Sequence, residues 1–220
     1  MKYMYRAYGV LVAFLILQPG MSAAVEPAVR ISPQLDGVSV IHQGRPLQIH
    51  RNQDQTNTIA PGFQRTSRRC PPFCIQPMQL PGGIETIGEI EMLDYLQRRS
   101  GGDDTVLIID SRGPMSVGRG TIPGAVNIHY KRLSLRTAED ADIADILEGR
   151  FGAKRVGELW NFQTAKTLVM FCNGAWCGQS PANIRSLMRF GYPPSKIKWY
   201  RGGMQAWETV GLTTVIPETE

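Results

Sequence analysis

The sequence predicts an α/β fold, a parallel sheet flanked by helices on both faces, with a small N-terminal β appendage. Three observations carry this expectation. The runs TVLIID (105–110) and TLVMFC (167–172) are apolar almost throughout rather than alternating, as strands covered on both faces must be. From residue 84 onward such runs alternate with segments of helical period, the pattern of a parallel sheet. Residues 25–81 differ in kind, being rich in Pro, Gln, Arg and Asn with no helical period.

The elements follow in chain order. VSVIH (38–42) and LQIHR (47–51) flank QGRP, which reads as a hairpin turning at Gly44–Pro46. The chain up to LPGG (80–83) reads as an extended arm. ETI (85–87) is a short strand, and the helix after it, to about Arg99, is expected to bury Ile90, Leu93 and Leu96. SGGDD stops that helix, TVLIID follows as a strand, and TIPGAVNI (121–128) is another short one. Thr137 is expected to cap a helix through Leu147 that sets Ile143, Ile146 and Leu147 on one face. A shorter helix would gather Val156, Leu159 and Trp160. After TLVMFC, Ser180–Pro181 reads as an N-cap and first helical residue. That helix packs Ile184, Leu187 and Met188 and ends with Gly191 at C′. KIKWY (196–200) is the last strand. The chain divides into a leader (1–24), an N-terminal β arm (25–83), an α/β domain (84–214) and a short tail (215–220).

The leader is read from its own pattern. Lys2 and Arg6 precede the apolar GVLVAFLIL (9–17), and a turn-like QPG and the small residues of MSAAVE follow. A basic start, a short apolar stretch and a small-residue cleavage site describe a secretory signal peptide, cleaved after Ala23 or Ala24. The apolar run is shorter than the roughly 20 residues of a spanning helix, so no integral membrane span is expected after cleavage. An uncleaved anchor is the rival reading. The expected location is exported and periplasmic. The chain carries 24 cations and 19 acids, net +5; without Lys2 and Arg6 the balance is 22 to 19, or +3. That surplus is too mild to indicate nucleic acid as a partner.

Export governs the cysteines, which pair in an oxidising compartment unless chemistry or a reductant keeps them open. Four form two close pairs, Cys70/Cys74 and Cys172/Cys177. Three connectivities are possible, and local pairing is the simplest. CPPFC (70–74) is read first as a local disulfide. Binding of a soft metal, with His42 and His50 as extra ligands, and redox partnership with the second pair are the alternatives.

The stretch FCNGAWCGQS (171–180) holds the chemistry. Cys172 ends a buried strand, the place where chemistry gathers in such sheets, and a helix starts about eight residues later. Loop amides and the positive helix end favour thiolate over thiol. Gly174, Ala175 and Gly178 are small enough for the backbone to curl around a sulfur anion.

At these residues the chain resembles the rhodanese-like sulfurtransferase family. IIDSRG (108–113) is similar to its Asp-x-Arg strand end, and GRGTIPGAVNI (118–128) to its Gly-His-Ile-Pro-Gly-Ala segment, with Thr121 in place of the histidine. VMFCNGAWCGQSPANIRSLMRFGY (169–192) is similar to the active-site strand, loop and helix, and YRGGMQAW (200–207) to the late Gly-Gly turn. The resemblance covers 84–214. It implies that Cys172 takes sulfur from a small donor anion such as thiosulfate, holds it as a persulfide and passes it to a thiol or cyanide. It implies an anion cradle of Asn173, Gly174, Ala175, Trp176, Cys177 and Gly178, supported by Asp110 and Arg112, with no cofactor and no metal. Trp176 would cover the persulfide. Cys177 departs from the pattern, since thiosulfate-using relatives often have a hydroxyl or cationic residue there. As a resolving thiol it would make a Cys172–Cys177 disulfide. The loop lacks cations, and Arg185 and Arg201 are the nearest in sequence.

Other readings stand beside this one. Related phosphatases and arsenate reductases need a longer loop closed by an arginine, and position 178 is Gly. WCGQS (176–180) is similar to a thioredoxin motif, but Ser180 replaces its second cysteine. Cys172 as an inert buried thiol, in a catalytically silent binding module, is the remaining reading. The sequence names no protein partner.

Overall fold

A computed structural model describes residue 1 and residues 28–218. The leader reading therefore lies, but for its first residue, outside the described residues. The hairpin comes first, with β1 (Gly37–His42) antiparallel to β2 (Arg45–His50) and Val38 opposite Ile49. Its turn is Gln43–Gly44, one residue tighter than expected, with both residues at positive φ. The arm contains a single helical turn, α1 (Pro61–Gln64).

The sheet is five-stranded and wholly parallel. It comprises β3 (Glu85–Ile87), β4 (Val106–Asp110), β5 (Val126–Asn127), β8 (Thr167–Phe171) and β9 (Ile197–Tyr200), in the order β3-β9-β8-β4-β5. Of the expected 121–128 strand only Val126–Asn127 pairs. The turn through Ile122–Ala125, with Gly124 at φ +87°, takes the preceding residues out of the sheet.

Each central strand feeds two cores because its side chains alternate between faces. Leu107, Ile109, Leu168 and Met170 face one core with α4 (Asp140–Gly149) and α5 (Gln179–Arg189). Val106, Ile108, Val169 and Phe171 face the other with α2 (Glu89–Ser100) and α6 (Gly203–Thr209). Hence both runs read as continuously apolar, and β4 is buried along its whole length. The hairpin joins this second core, where Val38, Val40 and Ile49 pack with Met92, Leu93 and Leu96 of α2.

Several local expectations are revised. In α2, Met92 is buried beside Leu93 and Leu96, while Ile90 in the first turn is 45% exposed. Glu139 is the N-cap residue of α4, and Thr137 Oγ1 donates instead to the Lys131 carbonyl at 2.8 Å. Residues 154–161 form a small hairpin, β6 (Lys154–Val156) and β7 (Leu159–Asn161), not a helix. Helix α5 begins at Gln179 with Gly178 as N-cap, which places Ser180 inside the first turn. Gly191, at φ +86°, follows that helix as expected. No helix among the described residues is long and apolar enough to cross a membrane.

Candidate active site

Cys172 follows the last residue of β8, between β4 and β9. The loop to Gly178 crosses the carboxyl end of the sheet before α5 begins. Three contacts fix its shape. The Cys177 N–H donates to the Gly174 carbonyl at 2.8 Å, closing a turn. The start of α6 fastens the other side, with Met204 N–H donating to Cys172 O at 3.0 Å and Gln205 N–H to Asn173 O at 2.9 Å. This close approach needs Gly203, whose φ is +55° and whose added Cβ would stand 2.3 Å from Cys172 O.

The two thiols are unbridged, nearly sealed from solvent and electrostatically coupled, with Cys177 Sγ donating to Gln179 Oε1 at 3.5 Å. Cys172 Sγ also lies 3.4 Å from the Cys177 carbonyl, to which it donates. Burial pushes the Cys172 thiol well up, and the neighbouring sulfur adds to this; the N–H and hydroxyl of Ser180 oppose it. The Cys177 thiol is brought down to about 7, chiefly by its hydrogen bond with Cys172, then by the Asn173 and Gln179 amides and the Asn173 side chain. Two sulfurs so close titrate as one unit, with an easy first ionisation and a hard second one. The loop amides were expected to hold the charge on Cys172. The geometry instead directs Asn173 and Gln179 at Cys177 and leaves Ser180 for Cys172, because α5 starts two residues earlier than the sequence suggests.

The supporting pair lies at the end of β4. Asp110 is 1% exposed and Arg112 2%. Arg112 Nε donates to Asp110 Oδ1 at 2.9 Å, and Nη2 donates to Oδ2 at 2.6 Å and to Gly120 O at 2.6 Å. Thr121 Oγ1 donates to Asp110 Oδ2 at 2.7 Å, and Asn127 Nδ2 reaches the Asp110 and Arg112 carbonyls. The pair thus ties three loops together and has no charge to spare. Ser111, between them, places its Oγ 3.0 Å from Ser180 Oγ.

The N-terminal arm crosses this loop, which sequence reasoning did not foresee. Cys70 and Cys74 form a disulfide, and Phe73 between them meets Trp176 edge to face at 5.6 Å. The Arg68 guanidinium stacks on Trp176 at 4.2 Å and on Phe73 at 5.1 Å. Gln76 N–H donates to Ala175 O at 2.8 Å. Arg201 Nη2 donates to Gln76 O at 2.9 Å, holding the arm in place. Trp176 Nε1 donates to Gln205 Oε1 at 2.8 Å, and Gln205 Nε2 reaches Phe63 O. Arg185 is exposed on α5. Among the described residues no cluster of three or more His, Cys, Asp or Glu side chains is placed to share a metal ion. A polar cleft of about 580 Å³, lined by His50, Asn57, Arg119 and Glu208 among others, includes neither thiol.

The rhodanese-like domain family model matches residues 92–209. Among solved structures, a rhodanese-related protein of Thermoplasma volcanium is 17% identical, with 60% of this chain and 98% of that one covered at a TM-score of 0.34. A rhodanese-like domain from Anabaena is 16% identical over 60% and 78% of the two chains, TM-score 0.38. A Rhodopseudomonas palustris protein described as a possible tyrosine phosphatase is 21% identical over 64% and 99%, TM-score 0.38. These likenesses concern the fold alone. No curated protein matches the chain in sequence.

Proposed function

The chain belongs to the rhodanese-like domain family, and on that premise we propose that it is a sulfurtransferase. It moves sulfane sulfur from a small anionic donor such as thiosulfate to a thiol or cyanide, through a persulfide on Cys172. The observation that carries this reading is the thiol pair at the carboxyl end of β8, where one proton leaves at about 7 and an anionic sulfur is available at neutral pH.

The steps follow from the coupling of the two neighbouring thiols. As Cys172 Sγ attacks the outer sulfur of thiosulfate, its proton passes to the Cys177 thiolate. A Cys172–sulfur bond forms, the bond to the sulfonate breaks, and sulfite departs with the electron pair. The Cys172 persulfide rests against the Ser180 N–H and hydroxyl. An acceptor nucleophile then takes the outer sulfur and returns the thiolate. Trp176, fixed by Gln205 and the arm, shields the persulfide from bulk solvent. Incubation of the reduced protein with thiosulfate should add the mass of one sulfur to the peptide holding Cys172, and Cys172→Ser should abolish it. An unchanged mass in the wild type refutes the reading.

One observation favours a second reading. The loop turns Cys177 back onto Cys172, whose Sγ lies 3.4 Å from the Cys177 carbonyl, so the Cys177 thiolate can attack Cys172 Sγ in the persulfide. Hydrosulfide then leaves and a Cys172–Cys177 disulfide forms, which an external thiol reduces. In that case Cys177→Ser raises the yield of stable persulfide. An oxidising, periplasmic location after leader cleavage fits both readings, and the Cys70–Cys74 bond supports it. N-terminal sequencing of the exported protein should begin near residue 24 or 25, and an intact leader would count against it.

A further inference from the structure

The loop from Cys172 to Gly178 contains no cation, yet the donor in the reading above is an anion. The cations around the loop are mostly committed. Arg112 is locked on Asp110 and backbone carbonyls. Arg201 donates to the Gln76 and Pro77 carbonyls. Arg185 points from α5 into solvent. Arg68 is different. It arrives from the arm, more than a hundred residues away in sequence, and sits over the ring of Trp176, the residue directly before Cys177.

Its setting is that of a held but unused donor. Nη2 donates to Gly62 O at 2.9 Å, which fixes the guanidinium. The rings of Trp176 and Phe73 lie against it. Arg68 Nε is buried and has no hydrogen-bond acceptor among the described residues, a costly state for a charged group. No carboxylate among the described residues forms an ion pair with it. A planar guanidinium with an unpartnered N–H, set over the ring next to Cys177 in the chain, matches the oxygens of a sulfonate or carboxylate.

We propose that Arg68 is the anion-receiving residue of the cysteine site and selects donors that carry a negatively charged oxyanion group. For thiosulfate this rests on the sulfurtransferase reading, with Arg68 binding the sulfonate end while Cys172 addresses the outer sulfur. The arm then completes the site rather than merely covering it, and the Cys70–Cys74 loop helps to hold the arginine through Phe73.

Two alkylating reagents of nearly equal size test this without any sulfur transfer. Iodoacetate is an anion and iodoacetamide is neutral. Reaction of the full-length protein with its Cys70–Cys74 bond intact and Cys172 and Cys177 as free thiols, mapped to Cys172 or Cys177 by peptide mass, should favour iodoacetate more than a small free thiol does. Arg68→Gln should lower the iodoacetate rate at least about tenfold, the low end for a hydrogen bond to a charged group, and leave the iodoacetamide rate unchanged. Arg68→Lys, which keeps the charge but not the planar fork, should keep only part of the preference. An unaltered iodoacetate rate in Arg68→Gln overturns the proposal. So does an equal change with both reagents, which would mean that the residue only braces the arm. With thiosulfate, Arg68→Gln should raise KM while sparing kcat. If the wild type takes no sulfur from thiosulfate, the sulfur-transfer reading fails and the reagent ratio still decides the role of Arg68.

Discussion

Replacing Gly203 with Ala tests how the late Gly-Gly turn shapes the cysteine loop. The new Cβ would stand 2.3 Å from Cys172 O, 2.8 Å from Gly174 N and 3.0 Å from the Asn173 carbonyl carbon. Ordinary Cβ contacts begin near 3.4 Å, so about 1 Å must be made up, and every obstructing atom is backbone. Helix α6 has to retreat, stretching the Met204–Cys172 and Gln205–Asn173 hydrogen bonds from 3.0 and 2.9 Å. Losing both costs about 2 kcal/mol, at ~1 kcal/mol each. The left-handed backbone at φ +55° adds about 1–2 kcal/mol for a residue with a Cβ. The expected loss is therefore about 3–4 kcal/mol, large beside a typical stability of about 5–15 kcal/mol. Gly157→Ala is the control, since its φ of +62° is similar and nothing lies within 4 Å of the added atom; it should show the backbone cost alone. Urea unfolding of both variants, followed by tryptophan fluorescence, gives the two values. Equal losses would refute the claim that Gly203 is required by close approach.

Two further outcomes are expected. The alkylation rate of the wild-type pair should rise as pH passes about 7, because below that value both sulfurs carry protons and above it one is anionic. In Cys177→Ser the step should move upward, since burial alone raises the remaining Cys172 thiol; an unmoved step would mean that the pair is not coupled. Asp110→Asn should destabilise the fold by about 3 kcal/mol or more, because it leaves Arg112 buried without its counter-charge, and calorimetry showing a loss below about 1 kcal/mol would contradict the buried pairing.

The central sheet was legible because burial on both faces writes itself into sequence as unbroken apolar runs, and β4 and β8 fall where those runs lie. The site cysteine was legible for the same reason, standing where a run ends in small residues. Other features were legible only in part. Val156, Leu159 and Trp160 have helical spacing, but the turn at Gly157–Glu158 reverses the chain, leaving Val156 62% and Leu159 75% exposed. Ile90 fits the apolar stripe of α2 but lies in its first turn, beyond the reach of the hairpin that covers Met92 and Leu96. The placement of Arg68, Phe73 and Gln76 had no local signal at all. Their partners, Trp176 and Ala175, are about a hundred residues further on, and no period or spacing reports a contact of that range.

The arm also sets an order of events during synthesis. The partners that pin residues 60–77 to the site are encoded later: Ala175 and Trp176, then Arg201 and Gln205. A chain interrupted before residue 170 carries this segment with nothing to dock it against, so the arm can settle only after the cysteine loop and α6 have been made. In the finished chain most of the segment still faces solvent, so the arm is pinned at a few points, Phe63, Phe73 and Gln76 among them, rather than buried.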